Sequence, residues 1–152
     1  LVWTDVTNKP MYKTTHLVFR KIKAAGQSFT VGGVEHECGQ WEYSYEMRHT
    51  VSFTNDFYMA VFPLTQKQHE LISGRTPSTI AKGDTLPMEG ETWTNMRGMF
   101  CGSGGTKKGD WPLDGHELEP NSILHKLRQK APGLIFDLPT DSMWEVACRS
   151  GT

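Results

Sequence analysis

The stretch 136–152, "FDLPTDSMWEVACRSGT", decides how the rest of the chain is read. Pro139 fixes the backbone just ahead of Thr140, whose hydroxyl is suited to cap a helix, and Asp141 places a negative charge in that helix's first turn, where the peptide dipoles favour it. Trp144 and Cys148 are four residues apart and share one helix face, with Ala147 beside them. A helix that buries a tryptophan needs a broad apolar partner, and strands are expected to supply it.

Two upstream stretches have strand character. In "HLVFRKIKAAGQSFTVGG" (16–33), Leu17 and Phe19 alternate with Val18 and Arg20, and "SFTVGG" forms a second short run after a turn near Gly26. In "HTVSFTNDFYMAVFPLT" (49–65), His49, Val51 and Phe53 alternate, Asn55-Asp56 forms a turn, and Phe57, Met59 and Val61 share a face. This reads as a hairpin leading into a helix.

That helix opens with Thr65 and Gln68 at capping-box spacing, is expected to turn Leu71 and Ile72 inward, and stops at Gly74. A second short helix starts at Thr92, with Trp93 and Met96 inward and Gly98 weakening it. A third starts at Asn121 or Ser122, presents Ile123, Leu124 and Leu127 on one face, and ends at "APG" (131–133). Residues 1–15 show no period and read as a linker or peripheral arm, while "CGSGGTKKGDWPLDGHELEP" (101–120) reads as a long surface loop. The fold class read from this pattern is α+β.

Composition narrows the function classes. Sixteen basic and 17 acidic side chains nearly balance, and no basic run is long enough to form a nucleic-acid footprint. No stretch approaches the ~18 apolar residues of a membrane helix, so no membrane insertion is expected. Cys38, Cys101 and Cys148 are scattered and lack structural-zinc spacing, which favours three small packed residues.

Four blocks together resemble the formylglycine-generating enzyme family, also called the sulfatase-modifying factor family. "FDLPTDSMWEVACRSGT" is similar to the family's LPTEAEWEYACRAGT, and "SFTVGG" to its F-x-M-G-S turn. "HTVSFTNDFYMAVFPLTQKQHELISGRTPS" (49–78) resembles the family's strand-and-helix block, and "LPMEGETWTNMRG" (86–98) resembles its P-V-E-x-V-S-W-x-D-A. The blocks occur in the family's order from about Lys21 onward, which is far more specific than any one of them.

The resemblance implies an irregular C-type-lectin-like fold with short antiparallel strands, a few short helices and long loops. It also implies that residues 16–152 are the N-terminal part of such a domain. The family activity is copper- and oxygen-dependent oxidation of a sulfatase cysteine to formylglycine, so a protein or peptide substrate is the implied partner. The family's copper-binding cysteine pair and calcium sites are expected outside this chain, and no catalytic, cofactor or metal residue carries over. A non-catalytic binding module for protein or glycan ligands is the alternative. Asp137, where the family often has Arg, and Met143, where it has Glu, depart from the pattern.

Among individual residues, His36, Cys38 and Glu42 have metal-ligand chemistry but no recognised spacing, and they read as a loop cluster. Gly102–Gly105 lack the Lys-Ser/Thr of a phosphate loop. His49 reads as structural, and His16, His69, His116 and His125 as isolated and solvated. Trp93 and Trp144 read as core, which leaves Trp111, in the Gly/Pro-rich loop, as the candidate ligand contact.

Overall fold

The computed structural model describes residues 3–33, 47–76, 78–98 and 118–149. They are mixed α+β: α1 (Trp3–Asn8), a 3-10 turn (Pro10–Lys13), β1 (Phe19–Ile22), β2 (Ser28–Val31), β3 (His49–Ser52), β4 (Phe57–Ala60), α2 (Gln66–Ser73), α3 (Trp93–Arg97), α4 (Ile123–Lys130) and α5 (Asp141–Cys148). The chain divides into two compact units, one built from 1–18 and 60–138 and the other from 19–59 and 139–152. Among the described residues, no helix is long and apolar enough to cross a membrane.

The larger unit is organised by the start of α2. Thr65 Oγ1 accepts from Gln68 N at 3.3 Å and Gln68 Oε1 accepts from Thr65 N at 3.0 Å, closing the expected capping box. The remaining polar atoms of the box tie in residues 10–16. Thr65 Oγ1 donates to Lys13 O at 2.8 Å, and Gln68 Nε2 donates to His16 O at 2.8 Å and Tyr12 O at 3.2 Å. Residues 1–15, read from sequence as a linker or arm, thus include a helix and a 3-10 turn, with Val6 buried. Their few apolar side chains showed no period because backbone carbonyls make these attachments.

Gln66 does similar work on the other side of the cap. Its amide donates to Ala81 O at 2.8 Å and accepts from Gly83 N at 3.1 Å. The helix ends as expected at Gly74, with φ of 81°. Ile72 is buried but Leu71 is 47% exposed, which corrects half of the inward pair. Adjacent helical positions point about 100° apart, and on a helix of two turns only one reaches the core.

In α3, Thr92 caps as expected, but the fully buried residue is Arg97. Trp93 is 38% exposed, and the Arg97 guanidinium lies 5.6 Å from its ring centroid. The tryptophan covers a cation and does not fill the core. Arg97 Nε meets Asp137 Oδ1 at 3.2 Å, and Arg128 meets Asp137 Oδ2 at 3.4 Å while donating to Phe136 O at 2.9 Å. The carboxylate at 137, a departure from the family pattern, serves two arginines. Ser122 caps α4, whose Ile123 and Leu124 join Val6, Ile72 and Leu118 in the core.

The smaller unit contains two two-stranded sheets, β1 with β4 and β2 with β3. The antiparallel β2–β3 register sets Ser28 opposite Ser52 and Val31 opposite His49. The expected hairpin between β3 and β4 does not form. Asp56 explains why: Oδ1 accepts from both Ala24 N and Ala25 N at 3.0 Å, and Oδ2 pairs with Lys21 at 2.9 Å. The bend at 53–56 is spent on the bend at 24–27, where Gly26 N also donates to Phe53 O at 2.8 Å. Each strand therefore pairs across the two bends. Phe29, Phe53 and Phe57 run along the junction with centroid spacings of 5.8 and 5.4 Å.

Thr140 caps α5 as read, accepting from Met143 N. The helix packs on β2 with Val146 buried, and Glu145 Oε1 accepts from Gly32 N, just past that strand, at 2.8 Å and pairs with Arg149 at 2.8 Å. Trp144 is 60% exposed and Cys148 is exposed, which overturns the expected buried tryptophan face. Both lie on the side of α5 away from Val146, because the buried Val146 and the Glu145 bond to Gly32 set the inward face.

Two predictions follow from these anchors. Thr65→Ala removes both the cap and the bond to Lys13, and should destabilise the protein by about 1–2 kcal/mol. Thr65→Ser should recover most of that loss in denaturant titrations, and equal losses for both variants would contradict the assigned role. The second concerns Asp56, held at about 2, below the ordinary 3.8, by the Lys21 ammonium and then by the Ala25 amide. A carboxyl depressed on folding stabilises fully above its unfolded pKa, and this contribution fades as pH falls from about 4 towards 2. Asp56→Asn should therefore flatten the acid limb of the stability curve, measured between about pH 6 and about pH 2.5. An unchanged acid limb would remove Asp56 from the account.

Candidate functional site

The larger unit carries a cavity of about 300 Å³ where the end of α2, helix α3 and the start of α4 meet. Ser73 at the end of α2 and Arg75 just beyond it line the cavity, with Asn95 from α3, Asn121 and Ser122 from the turn before α4, and Lys126 from α4. Glu119 completes a wall of both charge signs, and Pro120 and Ile123 add aliphatic surface.

Local sequence accounts for how these residues are presented. Gly98 ends α3 with φ of 114°, and a Cβ built there would run into Glu119 Cβ. Only glycine admits Glu119, whose amide donates to Arg97 O at 3.0 Å. Asn121 has φ of 71°, a conformation asparagine tolerates better than most residues, and this turns the chain into the Ser122 cap.

Behind Ser73 and Arg75 lies a buried polar group. His69, read from sequence as solvated, is fully buried. Its Nδ1 is 2.8 Å from Arg75 O and 3.1 Å from Ser73 Oγ, and its Nε2 is 2.8 Å from Glu91 Oε1. Arg75 reaches the same Glu91 oxygen at 2.8 Å, and the Glu91 side chain is 9% exposed. α2 places the histidine inside, where the Arg75 carbonyl lies against Nδ1 and the Glu91 carboxylate stands 2.8 Å from Nε2, a partnership invisible in the spacing of the sequence.

Serine, histidine and glutamate in this order have the connectivity of a nucleophilic triad, but one hydrogen bond defeats that chemistry. A carbonyl can only accept, so Nδ1, 2.8 Å from Arg75 O, carries the proton and cannot take one from Ser73. Ser73 Oγ lies 2.9 Å from His69 O and 3.1 Å from Arg75 O, an i−4 back-bond of a helix end with no activated hydroxyl. The group positions the cavity wall.

The residues singled out from sequence are placed elsewhere. Trp111, the candidate ligand contact, lies outside the described residues, as do His36, Cys38, Glu42, Cys101, Gly102–Gly105 and His116. His49 is exposed, with Nδ1 2.7 Å from Met47 O, and His16 is exposed beside Thr15. Among the described residues, no three His, Cys, Asp or Glu side chains gather in a way that could hold a metal, and their one cysteine, Cys148, stands alone.

The cavity residues went unnoticed in the sequence because they are ordinary polar side chains from three separated segments. The available signals were the helix ends themselves, Gly74 before Arg75 and the Asn121-Ser122 cap. No family model, no curated protein and no solved structure matches this chain.

The proton assignment has a direct test. Fluorophosphonate treatment followed by peptide mapping should leave Ser73 unmodified. An adduct on Ser73 would show that Nδ1 does act as its base.

Proposed function

We propose that this chain belongs to a domain of the formylglycine-generating type, with a C-type-lectin-like arrangement of its short strands and helices, and that its own residues act as a ligand-binding module. The family reading rests on the four sequence blocks in their order, and mixed α+β architecture with short antiparallel strands is compatible with it. The binding reading rests on one observation: a cavity walled by hydrogen-bonding side chains and backed by buried His69 and Glu91, with the nearby serine left unactivated. Fixed polar groups around a concavity orient a ligand, whereas bond cleavage would require a free base beside Ser73.

In the family's oxidases, copper and oxygen convert a sulfatase cysteine to formylglycine, a chemistry that uses thiolate ligands. This chain's share of such a domain is recognition of a protein or glycan ligand.

The test has two arms. Glycan and peptide arrays probed with the purified chain, followed by calorimetry on the hits, should yield a ligand that binds without added metal. A cysteine-containing sulfatase peptide incubated with the chain, copper and oxygen should keep its thiol by mass spectrometry. Blank arrays remove the binding reading, and conversion of the peptide to formylglycine makes the chain an oxidase.

A further inference from the structure

The charges around the cavity narrow its ligand. Arg75 and Lys126 stand against Glu119, and Arg75 is already held by Glu91 at 2.8 Å. A ligand of net negative charge meets the Glu119 carboxylate, and one of net positive charge meets Lys126 and Arg75. A neutral ligand whose groups both donate and accept suits every side chain on the wall.

Hydroxyl groups have that property. The amides of Asn95 and Asn121 and the carboxylate of Glu119 each offer two adjacent polar atoms, spaced to bridge neighbouring hydroxyls on a ring. Ser73 and Ser122 add single partners, and Pro120 and Ile123 give aliphatic contact for a C–H face. The cavity's 300 Å³ falls at the small end of ligand pockets, enough for one ring and not for an extended chain.

We infer that the cavity between α2, α3 and α4 binds a single neutral sugar residue, free or at the end of a glycan. The inference rests on the binding-module reading and assigns it a place and a ligand class. The described wall binds through hydrogen bonds, and the expected affinity is in the millimolar range.

The experiment titrates the isotopically labelled chain with methyl mannoside and methyl galactoside as neutral probes, and with glucuronate, glucosamine and glycylglycine as charged ones. The backbone amides of Asn95, Ser122 and Lys126 should shift with at least one neutral glycoside and respond less to all three charged probes. Asn121→Gly, which keeps the left-handed backbone and deletes the side-chain amide, should weaken binding by about 5-fold. Glu119→Gln keeps the Cβ and Cγ contact with Gly98; it should raise the response to glucuronate by several-fold.

Silence of these amides to every neutral sugar overturns the inference, as does stronger binding of glucuronate or the dipeptide to the unmodified chain. If the arrays yield a ligand while the cavity stays silent, only the cavity assignment falls. If both are blank, the binding reading falls with it.

Discussion

The side chains of Thr65 and Gln68 at the start of α2 close a capping box on each other and tie residues 12–16 to the helix. A capping box is ordinarily a local device that satisfies two amides a helix would leave bare. Here the leftover capacity of the same side chains reaches out, Thr65 Oγ1 to Lys13 O and Gln68 Nε2 to His16 O and Tyr12 O. Gln66, one residue into the helix, holds the segment around Ala81 and Gly83. A single turn thus anchors two chain segments that share no hydrophobic pattern with it. Thr65, Gln66 and Gln68 are nearly as buried as the aliphatic residues of this unit. Such a polar centre stabilises only when every member is satisfied, so it also fixes where α2 sits. The far end of that helix, at Ser73 and Arg75, is where the cavity forms.

The smaller unit solves its own problem by charge. Two bends in strand-rich chain carry amides that no sheet partner reaches, and an aspartate between them can accept two N–H groups on one oxygen while its other oxygen holds Lys21. This is why β3 and β4 part company although a turn-forming Asn-Asp lies between them. The turn residues are present, and tertiary demand redirects them.

What was legible in the sequence follows the range of the interaction. The caps at Thr65, Thr92, Ser122 and Thr140 stand where the residue pattern put them, because a cap is completed within four residues. Strand existence was readable for the same reason. Strand pairing was not, since it depended on Asp56 meeting Ala24 and Ala25 across more than thirty residues. Burial was readable only in part: Ile72, Ile123 and Leu124 face inward, while Leu71, Trp93 and Trp144 do not. On helices of five to eight residues a period is sampled barely twice, and one Arg97 or Glu145 that finds a partner decides the face. The candidate site was the least legible. Its residues belong to types that occur throughout any polar chain, and only the close approach at Gly98 brings Glu119 beside α3.

The recognition proposed for the cavity accords with how Ser73 and His69 are held. Catalysis by a serine needs a base with a lone pair aimed at the hydroxyl and an environment that favours proton movement at that point. His69 has the neighbours for it in name, but its Nδ1 faces the Arg75 carbonyl, and Glu91, 2.8 Å from Nε2, also holds Arg75. What His69 can do is hold Arg75 and the end of α2 in one arrangement, so that the hydrogen-bonding wall is already formed before a ligand arrives. For a ligand bound mostly through hydroxyl groups, whose exchange of water for protein brings little net gain per bond, that prior ordering decides whether binding is measurable at all.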